Sequence, residues 1–345
     1  MFRKETRRGD SAPVHVAIAG ATGAVGAEFL RLLEERPFPL ASLKLLASAR
    51  SAGKTLRFKG ADLPVEELTD DSFDGVDIAF FSAGGSRSRA FAPAAVRAGA
   101  VVVDNSSAYR MAPNVPLIVP EVNSQDIWSH EGIIANPNCS TILLLMVLAP
   151  LMRLCPIRRV VVSTYQAASG AGAQAMQELE EQSRAHLSGS PVEKNVFPHQ
   201  IAFNLFSHNT TIDASGYNEE ELKMVKETRK ILHLPDLALT ATCVRVPVLR
   251  AHSESVNIEF AGPRPSVAAA RDALAAFPGV RVVDDRDANH FPMPLDASGR
   301  DEVLVGRIRE DMSCPNALDL FLSGDQILKG AALNGFQIAE ALLGC

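Results

Sequence analysis

The chain is 345 residues long, 47% hydrophobic and 21% charged. That is the make-up of an ordinary folded protein, and it is too long for one compact core, so two domains are expected. A formal net charge of -6 argues against a nucleic-acid partner, whose phosphates call for a basic face.

Five cysteines (Cys139, Cys155, Cys243, Cys314 and Cys345) are few, odd in number and widely spread. They fit reduced thiols in a cytoplasm better than a disulfide framework. The N-terminus Met1-Phe2-Arg3-Lys4-Glu5-Thr6-Arg7-Arg8 is basic but leads into no apolar run, so it is not a secretory signal. Residues 1–13 are read as a disordered tail, with an organelle-targeting piece left open. The longest apolar run, near residues 142–152, is too short to span a bilayer and contains Pro150, so no membrane partner is expected.

Val14-His15-Val16-Ala17-Ile18-Ala19 reads as a buried strand, and Gly20-Ala21-Thr22-Gly23-Ala24-Val25-Gly26 follows at once. Phe29, Leu32 and Leu33 then mark one face of a helix over 28–35. Strands are predicted over 42–47, 76–82 and 101–104, with a helix near 91–98. Strands alternating with helices at this spacing imply a mostly parallel, doubly wound sheet.

A strand, a glycine loop and a helix in that order are what a pyrophosphate site needs. Glycines allow close backbone approach, and the helix N-terminus offers free N–H groups. The spacing G-x-x-G-x-x-G is a variant of the usual fingerprint and is weak alone; its place after the first strand strengthens it. Gly20, Thr22, Gly23, Ala24, Val25 and Gly26 are the expected cofactor contacts. At the end of the second strand an NAD-binder would carry Asp or Glu. This chain has Ala47-Ser48-Ala49-Arg50-Ser51-Ala52-Gly53-Lys54 there, so Ser48, Arg50 and Ser51 suit a ribose 2′-phosphate and favour NADP.

Asn136-Pro137-Asn138-Cys139-Ser140-Thr141 is a polar turn running into Ile142-Leu143-Leu144-Leu145-Met146-Val147-Leu148, which reads as a buried helix. Cys139 therefore sits at or just before a helix N-terminus, where the helix dipole favours a thiolate. Beyond it, longer strands are predicted over 159–164, 239–247, 255–260 and 303–309, with helices over 172–186, 219–232 and 267–277. This is read as a second, α+β domain with helices on one face. Residues 325–343 are strongly helical.

A thiol beside a nicotinamide suggests aldehyde oxidation through a covalent thiohemiacetal and thioester. Such a scheme needs a proton-handling group, and histidine suits neutral pH. His252, in a polar connection between two predicted strands, is the candidate. Arg245, between Val244 and Val246, is a cation inside an otherwise apolar strand.

The ordered set of 20–26, Ser82-Ala83-Gly84-Gly85-Ser86, 103–110, Pro120-Glu121-Val122-Asn123, 136–141, Tyr165-Gln166-Ala167-Ala168-Ser169-Gly170-Ala171-Gly172, 245–254 and 329–334 resembles the aspartate-β-semialdehyde dehydrogenase family. The match runs from about residue 14 to residue 343. The resemblance implies an N-terminal Rossmann-like, doubly wound NADP-binding domain over 14–138, completed by residues 325–345. It also implies an α+β catalytic and dimerisation domain with a mixed sheet over 139–324.

By the same resemblance the reaction is the reversible, NADPH-dependent interconversion of L-aspartyl-4-phosphate with L-aspartate-4-semialdehyde and phosphate, on the branch to lysine, threonine and methionine. It casts Cys139 as nucleophile, His252 as acid/base and Gln166 as the residue orienting the acyl intermediate. It puts Arg245 on the substrate α-carboxylate, Glu220 on its ammonium, and Arg110 and Lys223 on phosphate, with Asn138 framing the site. Ser169, Gly170 and Gln326 match cofactor contacts. No metal is expected, and a homodimer or dimer of dimers is implied. Two rivals remain: a related acyl-phosphate or acyl-CoA reductase on the same fold, and a cofactor-binding regulatory protein without catalysis.

Overall fold

A computed structural model of the chain describes residues 12–344. The expected tail, up to residue 11, and Cys345 lie outside the described residues. The chain folds as two compact units, one reaching to Asn138 and resumed from Ala331, the other Cys139–Gly330. Residues 325–330, expected with the first unit, belong to the second. The Asp325 carboxylate is held there by Arg250 and by the Gly299 N–H.

In the first unit, seven strands are β1 (Val14–Ala19), β2 (Leu40–Ala47), β3 (Thr55–Phe58), β4 (Ala61–Glu67), β5 (Ile78–Phe81), β6 (Val101–Asp104) and β7 (Ile133–Ala135). They lie in the order β3-β4-β2-β1-β5-β6-β7. Every neighbouring pair is parallel except the antiparallel β3–β4. β5 and β6 are buried at every residue, as strands covered on both faces must be, which is why they read as apolar runs, broken only by Asp104 at the end of β6.

The helices of this unit are α1 (Ala24–Glu35), α2 (Gly85–Arg97) and the short α3 (Pro120–Asn123). α1 buries Phe29, Leu30, Leu32 and Leu33, and Phe29 stacks on Phe80 of β5 with ring centroids 4.4 Å apart. The C-terminal helix Leu333–Leu343 packs on α1. A Cβ on its Gly335 would come within 2.9 Å of the Phe29 ring, so a glycine is what permits that approach.

The second unit opens with α4 (Cys139–Met152) and contains β8 (Ile157–Gln166), α5 (Ala173–Ser188), β9 (Phe206–Ser207), α6 (Glu219–Ile231) and β10 (Ala238–Arg245). It continues through β11 (His252–Phe260), α7 (Val267–Ala275), β12 (Val280–Val282), the short α8 (Pro294–Ala297), β13 (Val303–Glu310) and β14 (Ala317–Gly324). The sheet order is β12-β13-β14-β11-β8-β10-β9. It is mixed: β8–β10 and β12–β13 run parallel, the other pairs antiparallel.

α4 is buried from Ser140 to Leu151. It packs on β11, β13 and β14 and against α6 and α7. A helix apolar all round is a core helix, with no wet face to lose. Leu143 lies so close to Gly324 of β14 that a Cβ there would meet its side chain at 2.5 Å.

Candidate active site

In the first unit, the parallel pairing Ala19↔Leu46 brings the loop after β1 and the turn after β2 to the same carboxyl edge of the sheet. Gly20 has φ +94, in the left-handed region that only glycine occupies without strain. A Cβ on Gly26 would meet the Gly20 carbonyl oxygen at 2.2 Å. Gly20, Thr22, Gly23, Ala24, Val25 and Gly26 therefore form a tight cradle at the start of α1, whose first turn carries no acidic residue. Ser48, Arg50 and Ser51 lie in the turn after β2, closed by Ser51 N–H donating to the Ser48 carbonyl at 2.8 Å. No carboxylate stands in residues 48–54. The cradle and the turn fit a dinucleotide phosphate and a 2′-phosphate respectively.

Arg110 is buried. Its Nε donates to the Asn136 carbonyl at 2.9 Å and its Nη2 to the Asn105 carbonyl at 3.0 Å. The loop that carries it is fixed by the buried Asp104 carboxylate, which accepts from Ser88, from the Ser106 hydroxyl and from the Ser106 N–H. Asn138, also buried, is the last residue of this stretch before Cys139.

In the second unit, Cys139 is the first residue of α4. A Cβ on Gly330 would lie 2.9 Å from the Cys139 Cβ, so the chain at Gly330 passes directly against the stem of the Cys139 side chain. Gln166 ends β8 and is buried. Its amide Nε2 donates to the Ser140 hydroxyl at 3.2 Å, to Thr164 Oγ1 at 3.3 Å and to Glu220 Oε1 at 3.3 Å. Arg245 pairs with Gln166 across β10–β8. The register Ser253↔Tyr165, carried one residue on, sets His252 on the other side of Gln166. Three chemistry-bearing side chains thus form one row across adjacent strands.

The cations and anions around this row are locally built. Asn218 and Glu221 cap α6 reciprocally: Glu221 N–H donates to Asn218 Oδ1 at 3.0 Å, and Asn218 N–H to Glu221 Oε2 at 2.9 Å. The other Glu221 oxygen accepts the Cys243 N–H at 3.0 Å, which ties the helix start to β10. Glu220 and Lys223 are thereby held in the first turn, with Lys223 Nζ 3.4 Å from Glu220 Oε2 and 3.1 Å from Glu219 Oε1. The Arg245 guanidinium donates from Nη1 to the Ala167 carbonyl at 3.1 Å and lies over the Phe197 ring at 5.8 Å. Its Nε is buried without a hydrogen-bond partner. Burial presses the Arg245 pKa down, against the attraction of Glu220 and of Cys139.

His252 opens β11 and is fully buried; it does not lie in a polar connection. The residues 252–255 read as polar in sequence because His252 and Glu254 are polar groups on the covered face of the sheet. The Ala167 N–H donates to His252 Nδ1 at 3.0 Å, so a neutral ring carries its proton on Nε2. Burial first, and Arg245 second, hold the His252 pKa well below the usual histidine range, so the ring is neutral at physiological pH. Its Nε2 has no hydrogen-bond partner. A Cβ on Gly170 would lie 3.1 Å from that Nε2 and 2.9 Å from Arg245 Nη1, so the small-residue loop is what leaves room over both. Ser169 in the same loop accepts from the Gln326 amide. Cys139, Gln166, Glu220, Lys223, Arg245, His252, Ser169, Gly170 and Gln326 all belong to the second unit; Asn138, Arg110 and the glycine cradle belong to the first.

Residues 15–130 match the semialdehyde dehydrogenase NAD binding domain, and residues 148–329 the semialdehyde dehydrogenase dimerisation domain. The aspartate-semialdehyde dehydrogenase of Synechocystis sp. is 60% identical over 331 residues, covering 96% of this chain and 98% of that one. The chain belongs to the aspartate-semialdehyde dehydrogenase family. Among solved structures, aspartate semialdehyde dehydrogenase II of Vibrio cholerae complexed with ASA matches with TM-score 0.94 and 44% identity, covering 97% of this chain and 99% of that chain. The Candida albicans aspartate semialdehyde dehydrogenase with NADP matches with TM-score 0.76 and 27% identity, over 96% and 98% of the two chains.

Beside the site residues expected for an aspartate-semialdehyde dehydrogenase stands His208, which no sequence pattern marked. Its Nε2 accepts from Arg245 Nη2 at 2.9 Å, and its Nδ1 lies 3.3 Å from Thr210 Oγ1. Burial lowers its pKa to about 4, with Arg245 adding to the effect and Glu220 opposing it. A neutral acceptor beside the guanidinium steadies the fork without cancelling its charge. Phe197 reaches Arg245 because Glu178 of α5, itself buried, accepts the backbone N–H groups of Asn195, Val196 and Phe197.

One row deeper, Glu254 pairs with Thr164 of β8 and Leu322 of β14. Both carboxyl oxygens are buried without a hydrogen-bond partner, and burial raises the pKa well above the usual carboxylate range. A carboxyl whose pKa is raised on folding contributes stability that is full below the unfolded value, about 4.3, and lost as pH rises through the folded value. Thermal unfolding from mildly acid to alkaline pH should therefore show a decline that Glu254→Gln flattens. Parallel curves for the two proteins would mean that Glu254 is ionised and partnered.

Proposed function

We propose that this chain catalyses the reversible, NADPH-dependent reductive dephosphorylation of L-aspartyl-4-phosphate to L-aspartate-4-semialdehyde and phosphate through a thioester on Cys139. It serves the biosynthetic branch to lysine, threonine and methionine. The observation that carries the reading is the row Arg245–Gln166–His252 across β10, β8 and β11, with Glu220 hydrogen-bonded to Gln166. A short substrate bearing both a carboxylate and an ammonium needs that combination of charges.

Each residue has a role that its surroundings support. The Cys139 sulfur attacks C4 of the acyl phosphate, a C–S bond forms, and phosphate leaves with its oxygen. The N-terminus of α4 and the Arg245 guanidinium both favour negative charge on that sulfur. NADPH, when bound, supplies the hydride to C4. The cradle of Gly20, Thr22, Gly23, Ala24, Val25 and Gly26 would hold its pyrophosphate, Ser48, Arg50 and Ser51 its 2′-phosphate, and Ser169, Gly170 and Gln326 its nicotinamide half.

His252 handles the proton at the substrate oxygen. Because Nδ1 is occupied by the Ala167 N–H, it starts as an Nε2–H donor and stabilises the oxygen as charge gathers on it. Gln166 orients the acyl group. Arg245 grips the α-carboxylate with a planar fork that a lysine could not supply. Glu220 meets the ammonium, Arg110 and Lys223 hold phosphate, and Asn138 frames the site.

The first unit is the NADP-binding domain, and the second is the catalytic and dimerisation domain. Free thiols at Cys139, Cys155, Cys243 and Cys314 support a cytoplasmic enzyme. No helix of the described residues is long and apolar enough to cross a membrane. It assembles as a homodimer or homotetramer through the second unit, which exposes the apolar side chains Phe203, Leu205 and Leu249.

The test is NADPH formation from aspartate semialdehyde, with phosphate and NADP or NAD supplied in turn. Turnover that needs phosphate supports the reading. A requirement for coenzyme A in its place would favour the related reductase, and no turnover a regulatory protein. In the same assay Arg50→Ala should weaken NADP about ten- to hundredfold, the worth of one hydrogen-bonded charge, while NAD changes little. Equal losses would mean the 2′-phosphate is read elsewhere.

A further inference from the structure

The backbone just before His252 is in a conformation its residue does not favour. Ala251 has φ +74 and is fully buried. A side-chain-bearing residue persists in the left-handed region only where its surroundings over-determine it. Those surroundings come from the turn that follows β14. The Gln326 side-chain Oε1 accepts the Ala251 N–H at 2.9 Å, and Ala251 packs with Ala297 and Leu304.

Asp325 grips the preceding residue. Its Oδ2 accepts from Arg250 Nε at 2.6 Å and from the Gly299 N–H at 2.7 Å. Its Oδ1 accepts the Ile327 and Leu328 N–H groups at 2.9 and 3.1 Å. The carboxylate is wholly buried and the Arg250 side chain partly so. One oxygen thus builds the local turn, and the other reaches across to Arg250, in the bend that leads into the strand presenting His252.

We propose that Asp325, through its ion pair with Arg250, is a positioning residue that holds Ala251 in its left-handed conformation and so aims His252 Nε2 at the reacting oxygen. The inference rests on the reading of His252 given above. Asp325 touches neither substrate nor cofactor in this role. It acts at two removes, through Arg250 and Ala251, on the direction of one ring.

The test uses the full-length enzyme with Asp325→Asn, Arg250→Met and His252→Asn, each assayed for kcat and for the KM of semialdehyde and NADP. The isosteric Asp325→Asn keeps an oxygen for Ile327 and Leu328 but sets an NH₂ against Arg250. Arg250→Met removes the pair from its more exposed side and leaves the Asp325 turn bonds intact. Both should lower kcat about ten- to hundredfold, the cost of roughly 1 Å of misplacement, with both KM values little changed.

Ala251→Gly supplies a readout that a merely structural role would not move. Glycine adopts positive φ freely, so the Asp325→Asn penalty should shrink in the Ala251→Gly background. A penalty of the same size in both backgrounds would overturn the proposal, as would a rise in the NADP KM at unchanged kcat, which would mean that Asp325 acts through Gln326 on the cofactor. His252→Asn separates the two levels. If it keeps the wild-type rate, the reading of His252 falls and this inference with it. If it is inactive while Asp325→Asn and Arg250→Met keep full kcat, the clamp alone is overturned.

Discussion

Cys139→Ala should abolish phosphate-dependent NADP reduction, lowering kcat on the order of 10⁴-fold or more, because no other group can form the covalent acyl intermediate. The side chain is at the start of α4 and only partly buried, so thermal unfolding should change little. Steady-state rates with aspartate semialdehyde, alongside an unfolding curve, read both quantities. Turnover within tenfold of wild type would remove Cys139 from the chemistry. Loss of the folded state would instead mean that the thiol is a packing residue.

Arg245→Lys should be nearly as damaging as Arg245→Leu. The guanidinium is buried, with one arm on the Ala167 carbonyl, another on His208 and its face over Phe197. A lysine point charge cannot meet those directions at once, and a buried ammonium tends to shed its proton. Removing one partner of a desolvated charge pair costs about 2–5 kcal/mol. The expected fall in kcat/KM for semialdehyde is therefore roughly 10²- to 10³-fold for either substitution. A lysine variant close to wild type would show that charge alone, without the fork, binds the carboxylate.

How much of this was legible in sequence depended on how local the determining contacts are. β1, β5 and β6 could be read because they are almost wholly buried and their sequences are nearly continuous apolar runs. Ala317–Gly324 was not anticipated as β14, since Asp319 and Ser323 interrupt its apolar pattern, and its partner β11 lies far back in the chain. Residues 325–343 read as one helix; in the structure a turn at residues 325–327 leads into a π-helical stretch, Leu328–Ala332, and the α-helix begins at Leu333. The side chain of Asp325 takes the N–H groups of Ile327 and Leu328, and Gly330 must press against Cys139.

The same division holds in the site. The position of Cys139 at a helix start followed from a polar turn and an apolar run side by side. His208 could not be found: it meets Arg245 across 37 residues, and nothing in Phe206-Ser207-His208 signals it. The register that aligns His252, Gln166 and Arg245 is likewise a property of the folded sheet, as is the amide that fixes the His252 tautomer.

α4 has no solvated side between Ser140 and Leu151, and this bears on how the enzyme should fail. A helix that is wet on one face can slide or fray while the rest of its domain survives. α4 has no such intermediate position, because any shift uncovers apolar surface or collides with β14 at Gly324. Cys139, the proposed nucleophile, is consequently the first residue of a fully buried helix. Heat or denaturant should not blunt the catalyst gradually: inactivation and cooperative unfolding of Cys139–Gly330 should coincide.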